Sequence, residues 1–299
     1  MEKPATILVP VDFSAHSRAA AERALTLANA FGASIRFLHA LHLPLVAPEY
    51  AYSQAIWSDL RRTESAKLES IVRDFQERGV SASARFEERD PADAIRSAAR
   101  AADVMLVVMG SHGRRGLDRI LLGSVAERTL HNASVPVLIV RELEADATEP
   151  IRSILFATDF SEDAERAERV VARWARLLGS EVEIFHAIRE TAVLFAPYAL
   201  IGSSDYEGEL MEAANARMKG SVERFRHVGV SVKSKIVYGF ASEEITNRAE
   251  SCGAQLIAMG SRGYAGLHRF RVGSVVQRVL RHAPCSVLVA GSRPSSAAH

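Results

Sequence analysis

Two stretches of this sequence carry the same set of residues suited to holding an anion. The first reads GSHGRRGLDRILLGS from Gly110 to Ser124, and the second GSRGYAGLHRFRVGS from Gly260 to Ser274. Both fit G-x2-G-x9-G-S without a gap. Each follows a short apolar run, VMLVVMG or LIAMG, and each precedes a helix-like segment. A strand, a glycine turn and a Gly-Ser pair at a helix start present backbone N–H groups to negative charge. The candidate cradles are Gly110, Gly113, Gly123 and Ser124, and Gly260, Gly263, Gly273 and Ser274. Glycine there permits positive φ and close approach of a ligand, or simply makes a tight turn. Ser124 and Ser274 are placed to cap the helix or to donate to a phosphate.

Other residues bear on the same chemistry. Arg114, Arg115 and Arg262 lie inside the loops, as phosphate partners or as solvated surface side chains. His112 stands where the second copy has Arg262, which argues against a catalytic histidine. Asp12 and Asp159 follow the first strand of each half and either accept hydrogen bonds from a nucleoside or cap the next helix. His39 and His186 occupy equivalent strand ends, followed by Ala40 and Ala187, which are small enough to leave room for a flat base. No Cys/His cluster suggests a metal site. GxxxxGK[ST], a dinucleotide GxGxxG and a GxSxG elbow are all missing, against Walker-type hydrolysis, dinucleotide binding and hydrolase chemistry.

The elements that must position these residues also repeat. ILVPVDFS from Ile7 aligns with ILFATDFS from Ile154, FLHA from Phe37 with IFHA from Ile184, and Gly79-Val80-Ser81 with Gly229-Val230-Ser231. Each copy alternates strand and helix. In the first, strands are expected over Ile7–Val11, Ile35–Ala40, Val80–Phe86, Val104–Met109 and Val135–Val140. Ser14 and Asp90-Pro91 open helices, and Gly32 and Gly79 close them. Such alternation implies an open parallel sheet with helices on both faces, which binds ligands at the carboxyl ends of its strands. The chain of 299 residues suits two domains of about 150, expected at 1–143 and 150–293. Arg141 to Arg152 reads as a polar linker. The loops after the second strands, LPLVAPEYAYSQAIW and RETAVLFAPYALIGSSDYEG, are the most divergent, as lids, partner surfaces or simple packing.

Net charge of +1 provides no general field for nucleic acid or an anionic membrane, and no apolar run reaches the length of a bilayer span. No signal peptide is evident at the start. Only two cysteines occur, Cys252 and Cys285, both in the second half, so a disulfide framework is not expected. The cytoplasm is the expected compartment.

With these motifs in place, the chain resembles a tandem universal stress protein over nearly its whole length. The segments GSHGRRGLDRILLGSVAERTL and GSRGYAGLHRFRVGSVVQRVLRHAPCSVLV carry the likeness. The resemblance implies an α/β fold of two tandem Rossmann-like domains, each a five-stranded parallel sheet in the order 3-2-1-4-5. It implies ATP as ligand, with Mg as an optional companion. Carried over position by position, the site residues are Asp12, Ala40, Gly110, Gly113, Gly123, Ser124 and Val125 in the first copy. In the second they are Asp159, Ala187, Gly260, Gly263, Gly273, Ser274 and Val275. The family's glycine after the third strand is Gly239 in the second copy, whereas the first has Arg89, a bulky residue expected to crowd or reshape site one. The resemblance further implies that fifth strands meet across a two-fold axis, here within one chain as a pseudo-dimer, with a homodimer through other surfaces also open.

The function implied is a nucleotide-dependent stress-response protein whose ATP occupancy is read by a protein partner. Two other readings stand beside it. One is slow ATP hydrolysis or autophosphorylation at Ser124 or Ser274, which would need a positioned base, and none is shared by the copies. The other is an interaction scaffold without nucleotide.

Overall fold

Continuous apolar runs flanked by glycine and capping residues fold here into two α/β units, Met1–Glu149 and Pro150–His299. The computed structural model describes residues 5–41, 54–113, 122–141, 146–189, 206–263 and 272–290. In the first unit, strands β1 (Thr6–Pro10), β2 (Ser34–Ala40), β3 (Ala82–Glu87), β4 (Val104–Gly110) and β5 (Val137–Val140) alternate with helices α1 (Ala15–Phe31), α2 (Gln54–Glu77), α3 (Pro91–Ala98) and α4 (Ser124–Asn132). The sheet runs β3-β2-β1-β4-β5, with every pairing parallel. Ile7 lies opposite Ile35 on one side of β1, and Leu8 opposite Val107 on the other. The inner strands β1, β4 and β5 are apolar without alternation because helices cover both faces. Ile7, Leu8, Val9, Ile35, Phe37, Leu106, Val107 and Val108 are fully buried.

Local chemistry sets the helix ends. The Ser14 side chain accepts the N–H of Ser17 to open α1, and Gly32 closes it in the left-handed conformation. Asp90 accepts the N–H groups of Ala92 and Asp93 to open α3, with Pro91 at the first helical position. Alanines 20, 24 and 28 on α1 are nearly or fully buried, so the helix lies close on the sheet. Phe37 meets Phe75 of α2 edge-on at 4.9 Å, tying α2 to β2. Burial of each such ring contributes about 1.5–3 kcal/mol. The stretch after β5 is less free than a polar linker would be. Its turn Asp146–Thr148 packs on α1, with Ala147 fully buried and Arg23 donating to the Glu149 carbonyl.

The second unit repeats the plan with β6 (Ser153–Ala157), α5 (Glu162–Leu178), β7 (Glu181–Ile188), α6 (Tyr206–His227), β8 (Val232–Tyr238), α7 (Ala241–Ser251), β9 (Leu256–Gly260), α8 (Ser274–His282) and β10 (Ser286–Ala290). Its strands follow β8-β7-β6-β9-β10, again all parallel. Ser161 caps α5 and Gly179 closes it, as in the first copy. Buried Glu168 accepts from Ser221 and Arg224 of α6, joining the two helices on that face. No helix among the described residues is long and apolar enough to cross a membrane. Cys252 is half-buried and Cys285 buried.

Candidate functional site

The switch in strand order places β1 between β2 and β4, so the chain leaves β1 and β4 on either side of one crevice. In the first unit this crevice is a cavity of about 630 Å³. Asp12, Ala40, Gly110, Gly113, Gly123, Ser124 and Val125 all line it. The seven residues singled out in the first copy are thereby brought together, from three strand ends and one helix start.

Asp12 does not cap α1. Ser14 takes that role, and Asp12 Oδ1 holds Ser14 in turn, accepting from its N–H at 3.1 Å and its hydroxyl at 2.6 Å. The other carboxylate oxygen faces the glycine loop. A Cβ built on Gly113 would lie 2.7 Å from Asp12 Oδ2, and one on Gly263 would lie 2.5 Å from Asp159 Oδ2. Gly110 and Gly260 are tight for a different reason. A Cβ there would meet the first turn of α1 at His16, or of α5 at Asp163 and Ala164, at 2.8 Å. None of Gly110, Gly113, Gly123, Gly260, Gly263 or Gly273 adopts positive φ. Close approach therefore explains Gly110, Gly113, Gly260 and Gly263, and the approaching groups include the protein's own carboxylate and helix.

Gly123 and Gly273, rather than the serines, are the N-caps of α4 and α8, and neither helix has a side-chain cap bond. Each glycine N–H donates to the carbonyl of Ser111 or Ser261 at 2.9 Å, folding the loop back on the strand end. Ser124 and Ser274 are the first helical residues and are exposed, with Val125 and Val275 half-buried behind them. An uncapped first turn leaves backbone donors, and the positive end of the helix dipole, for an anion. The first turn of α4 contains Glu127, while that of α8 contains no acidic residue.

The β1–α1 and β6–α5 turns contain a feature that sequence reasoning missed. Phe13 and Phe160 both adopt left-handed backbone, at φ 63° and 60°. Bulky residues pay for that conformation, by about 1–3 kcal/mol. Part of the compensation is visible: each ring packs at 4.7 Å against a histidine, Phe13 on His39 and Phe160 on His186. Each histidine is itself fixed through Nδ1 to a backbone carbonyl, of Val11 at 2.7 Å and Thr158 at 2.8 Å. The histidines thus brace the turn that aims the aspartate. No propensity signals an aromatic residue at positive φ; only the repeated Asp-Phe-Ser hinted at it.

Beyond this brace the copies differ. His39 Nε2 lies 3.4 Å from the buried carboxylate of Glu64, which also pairs with Lys67 at 3.1 Å. The second copy has Ala214 at the position of Glu64. There, burial pushes the His186 imidazole below its ordinary range, outweighing the Thr158 carbonyl and Asp159, which act to raise it, while Arg217 adds the smallest effect, in the lowering sense. At the loop, His16 and His112 pack at 5.4 Å in the first copy. In the second, Asp163 accepts from Ser261 Oγ at 2.8 Å and Arg262 Nε at 2.9 Å. Arg262 is thus engaged by a carboxylate of α5. Arg114 and Arg115 lie outside the described residues, as do most of the two long loops after β2 and β7.

Arg89 does not line the first cavity, because its guanidinium pairs with Glu87 beside it. The neighbouring Asp90 lines it instead, bonded to Arg128 at 2.9 Å. Burial tends to raise the Asp90 carboxyl, but the Arg128 hydrogen bond and charge, with the α3 N–H groups, outweigh it and hold the group below the usual carboxylate range.

Comparison with known proteins agrees with this architecture. The universal stress protein family model matches residues 5–141 and again 150–291. Universal stress protein MJ0531 of Methanocaldococcus jannaschii is 36% identical over 138 residues, 46% of this chain and 81% of that protein. A universal stress protein of Mycolicibacterium smegmatis is 26% identical over 293 residues, 96% of this chain and 97% of its own. Among solved structures, a universal stress protein from Archaeoglobus fulgidus matches 96% of this chain and 98% of its own with a TM-score of 0.72, at 23% identity, a likeness of fold. With the family pattern present twice and the β1–β4 crevice built accordingly, the chain belongs to the universal stress protein family and carries two of its domains in tandem.

Proposed function

We propose that the two domains bind adenine nucleotide, ATP foremost, and that occupancy is read by a protein partner. The observation that carries this reading is the convergence of Asp12, Ala40, Gly110, Gly113, Gly123, Ser124 and Val125 on one cavity beside an uncapped helix start. A volume of about 630 Å³ lies within the usual range for small-ligand sites. Backbone N–H groups of α4 and α8, with the Ser124 and Ser274 hydroxyls, would hold the phosphates. Asp12 and Asp159 would accept hydrogen bonds from the nucleoside, and Ala40 and Ala187 would leave space for the base. Among the described residues no group of three or more His, Cys, Asp or Glu could hold a metal ion, so Mg²⁺ accompanying the nucleotide would ride largely on phosphate oxygens and water.

Native mass spectrometry of the intact chain incubated with ATP tests the reading. The expected spectrum shows additions of one and two nucleotides. A spectrum without additions at millimolar ATP, from protein with native circular dichroism, would overturn it.

A further inference from the structure

The third-helix N-cap is the position at which the two sites part company. In the first domain it is Asp90, which caps α3 and lines the cavity. In the second it is Phe240, whose side chain makes no cap bond to α7. The residue before it, Gly239, has φ 149°, and a Cβ there would meet the Glu244 side chain at 2.8 Å, so the turn is built around glycine. The Gly239 N–H bonds the Ile188 carbonyl at 2.9 Å, fixing this turn to the end of β7 just past Ala187. In the first domain the bond between the same two strand ends runs in the opposite sense, from the Leu41 N–H after β2 to the Glu87 carbonyl of β3 at 2.8 Å.

Phe240 works against the fold twice. It gives up the capping bonds that aspartate makes at the same place, and the residue is left 51% exposed. A residue that breaks local rules without a packing gain points to a use outside the fold. We infer that Phe240 is the base-stacking residue of the second site, where its ring covers one face of a purine while the phosphates lie on the cradle of Gly263, Gly273 and Ser274. Aromatic faces take up nucleobases through stacking and need no hydrogen-bond readout. The first site has the Asp90–Arg128 ion pair, not an aromatic ring, at the same position. The domains therefore differ in how much of their affinity comes from the base.

This inference rests on the nucleotide reading, and the test separates the two. ATP and inorganic tripolyphosphate are titrated calorimetrically into the full chain and into Phe240→Ala and Phe240→Trp. In the wild type, ATP is expected to bind more tightly than tripolyphosphate, by a larger margin at one of the two sites. Phe240→Ala should weaken ATP there by about tenfold, the scale of one lost stacking contact, and leave tripolyphosphate unchanged. Phe240→Trp should keep the affinity, and its added emission should be quenched by ATP but not by tripolyphosphate. Unchanged ATP binding in Phe240→Ala, equal loss of both ligands, or Trp emission indifferent to ATP would overturn the stacking role while nucleotide binding stands. A wild type that binds neither ligand would remove the nucleotide reading itself.

Discussion

At the scale of single residues, Asp12 and Gly113 act as a pair, as do Asp159 and Gly263. The carboxylate keeps its orientation because Ser14 or Ser161 holds one oxygen and the loop glycine leaves room for the other. A methyl group on the glycine would sit about 1 Å inside normal contact with that oxygen, forcing the carboxylate out of place. Gly113→Ala should therefore weaken ATP at the first site by at least about tenfold, equivalent to about 1.4 kcal/mol. Gly263→Ala should do the same at the second. Equilibrium dialysis reads this directly, with thermal melts to show that the fold persists. His186 supports a second prediction. Its pKa is lowered in the folded state, so below about pH 6.5 the unfolded chain binds more protons than the folded one. Its contribution to stability is full above that pH and is lost as pH falls through the lowered folded value. Urea melts of the second domain's transition at pH 7.5 and 5.5 should show acid destabilisation, and His186→Gln should shrink the difference.

At the scale of elements, the helix starts carry both stability and site geometry. Ser14→Ala removes the α1 cap and should cost about 1 kcal/mol in a urea melt. Ser14 also steadies Asp12, so ATP affinity at the first site should fall with it, whereas an equally destabilising change remote from the crevice should leave affinity intact. The elements were largely legible in the sequence. Ser14, Asp90-Pro91 and Gly32 announce helix ends through backbone chemistry that acts over three or four residues, and the buried strands announce themselves as unbroken apolar runs. What escaped depends on distant groups. Gly110 is glycine because His16, 94 residues earlier, packs against it. The left-handed Phe13 and Phe160 oppose local propensity outright, and tertiary packing on His39 and His186 helps hold them. Spacing placed the serines at the helix starts, but only the backbone angles assign the cap to Gly123 and Gly273.

At the scale of the whole molecule, a duplicated chain has kept one scaffold and diversified the walls of its sites. The parallel sheet order and the glycine cradles repeat, since both follow from backbone packing that few substitutions survive. The Glu64–His39 contact, the His16–His112 pair and the Asp90–Arg128 bridge have no counterpart of the same chemistry in the second domain, which has Ala214, Asp163–Arg262 and Phe240 instead. The two domains should consequently titrate with different affinities, seen as two resolved steps in calorimetry with ATP. Diffraction from crystals grown with ATP tests the central claim most directly. The account predicts phosphate density against the first turns of α4 and α8, beside Gly113 and Gly263, with the nucleoside reaching Asp12 and Asp159. Nucleotide seated elsewhere, or no nucleotide in either crevice at saturating ATP, would contradict it.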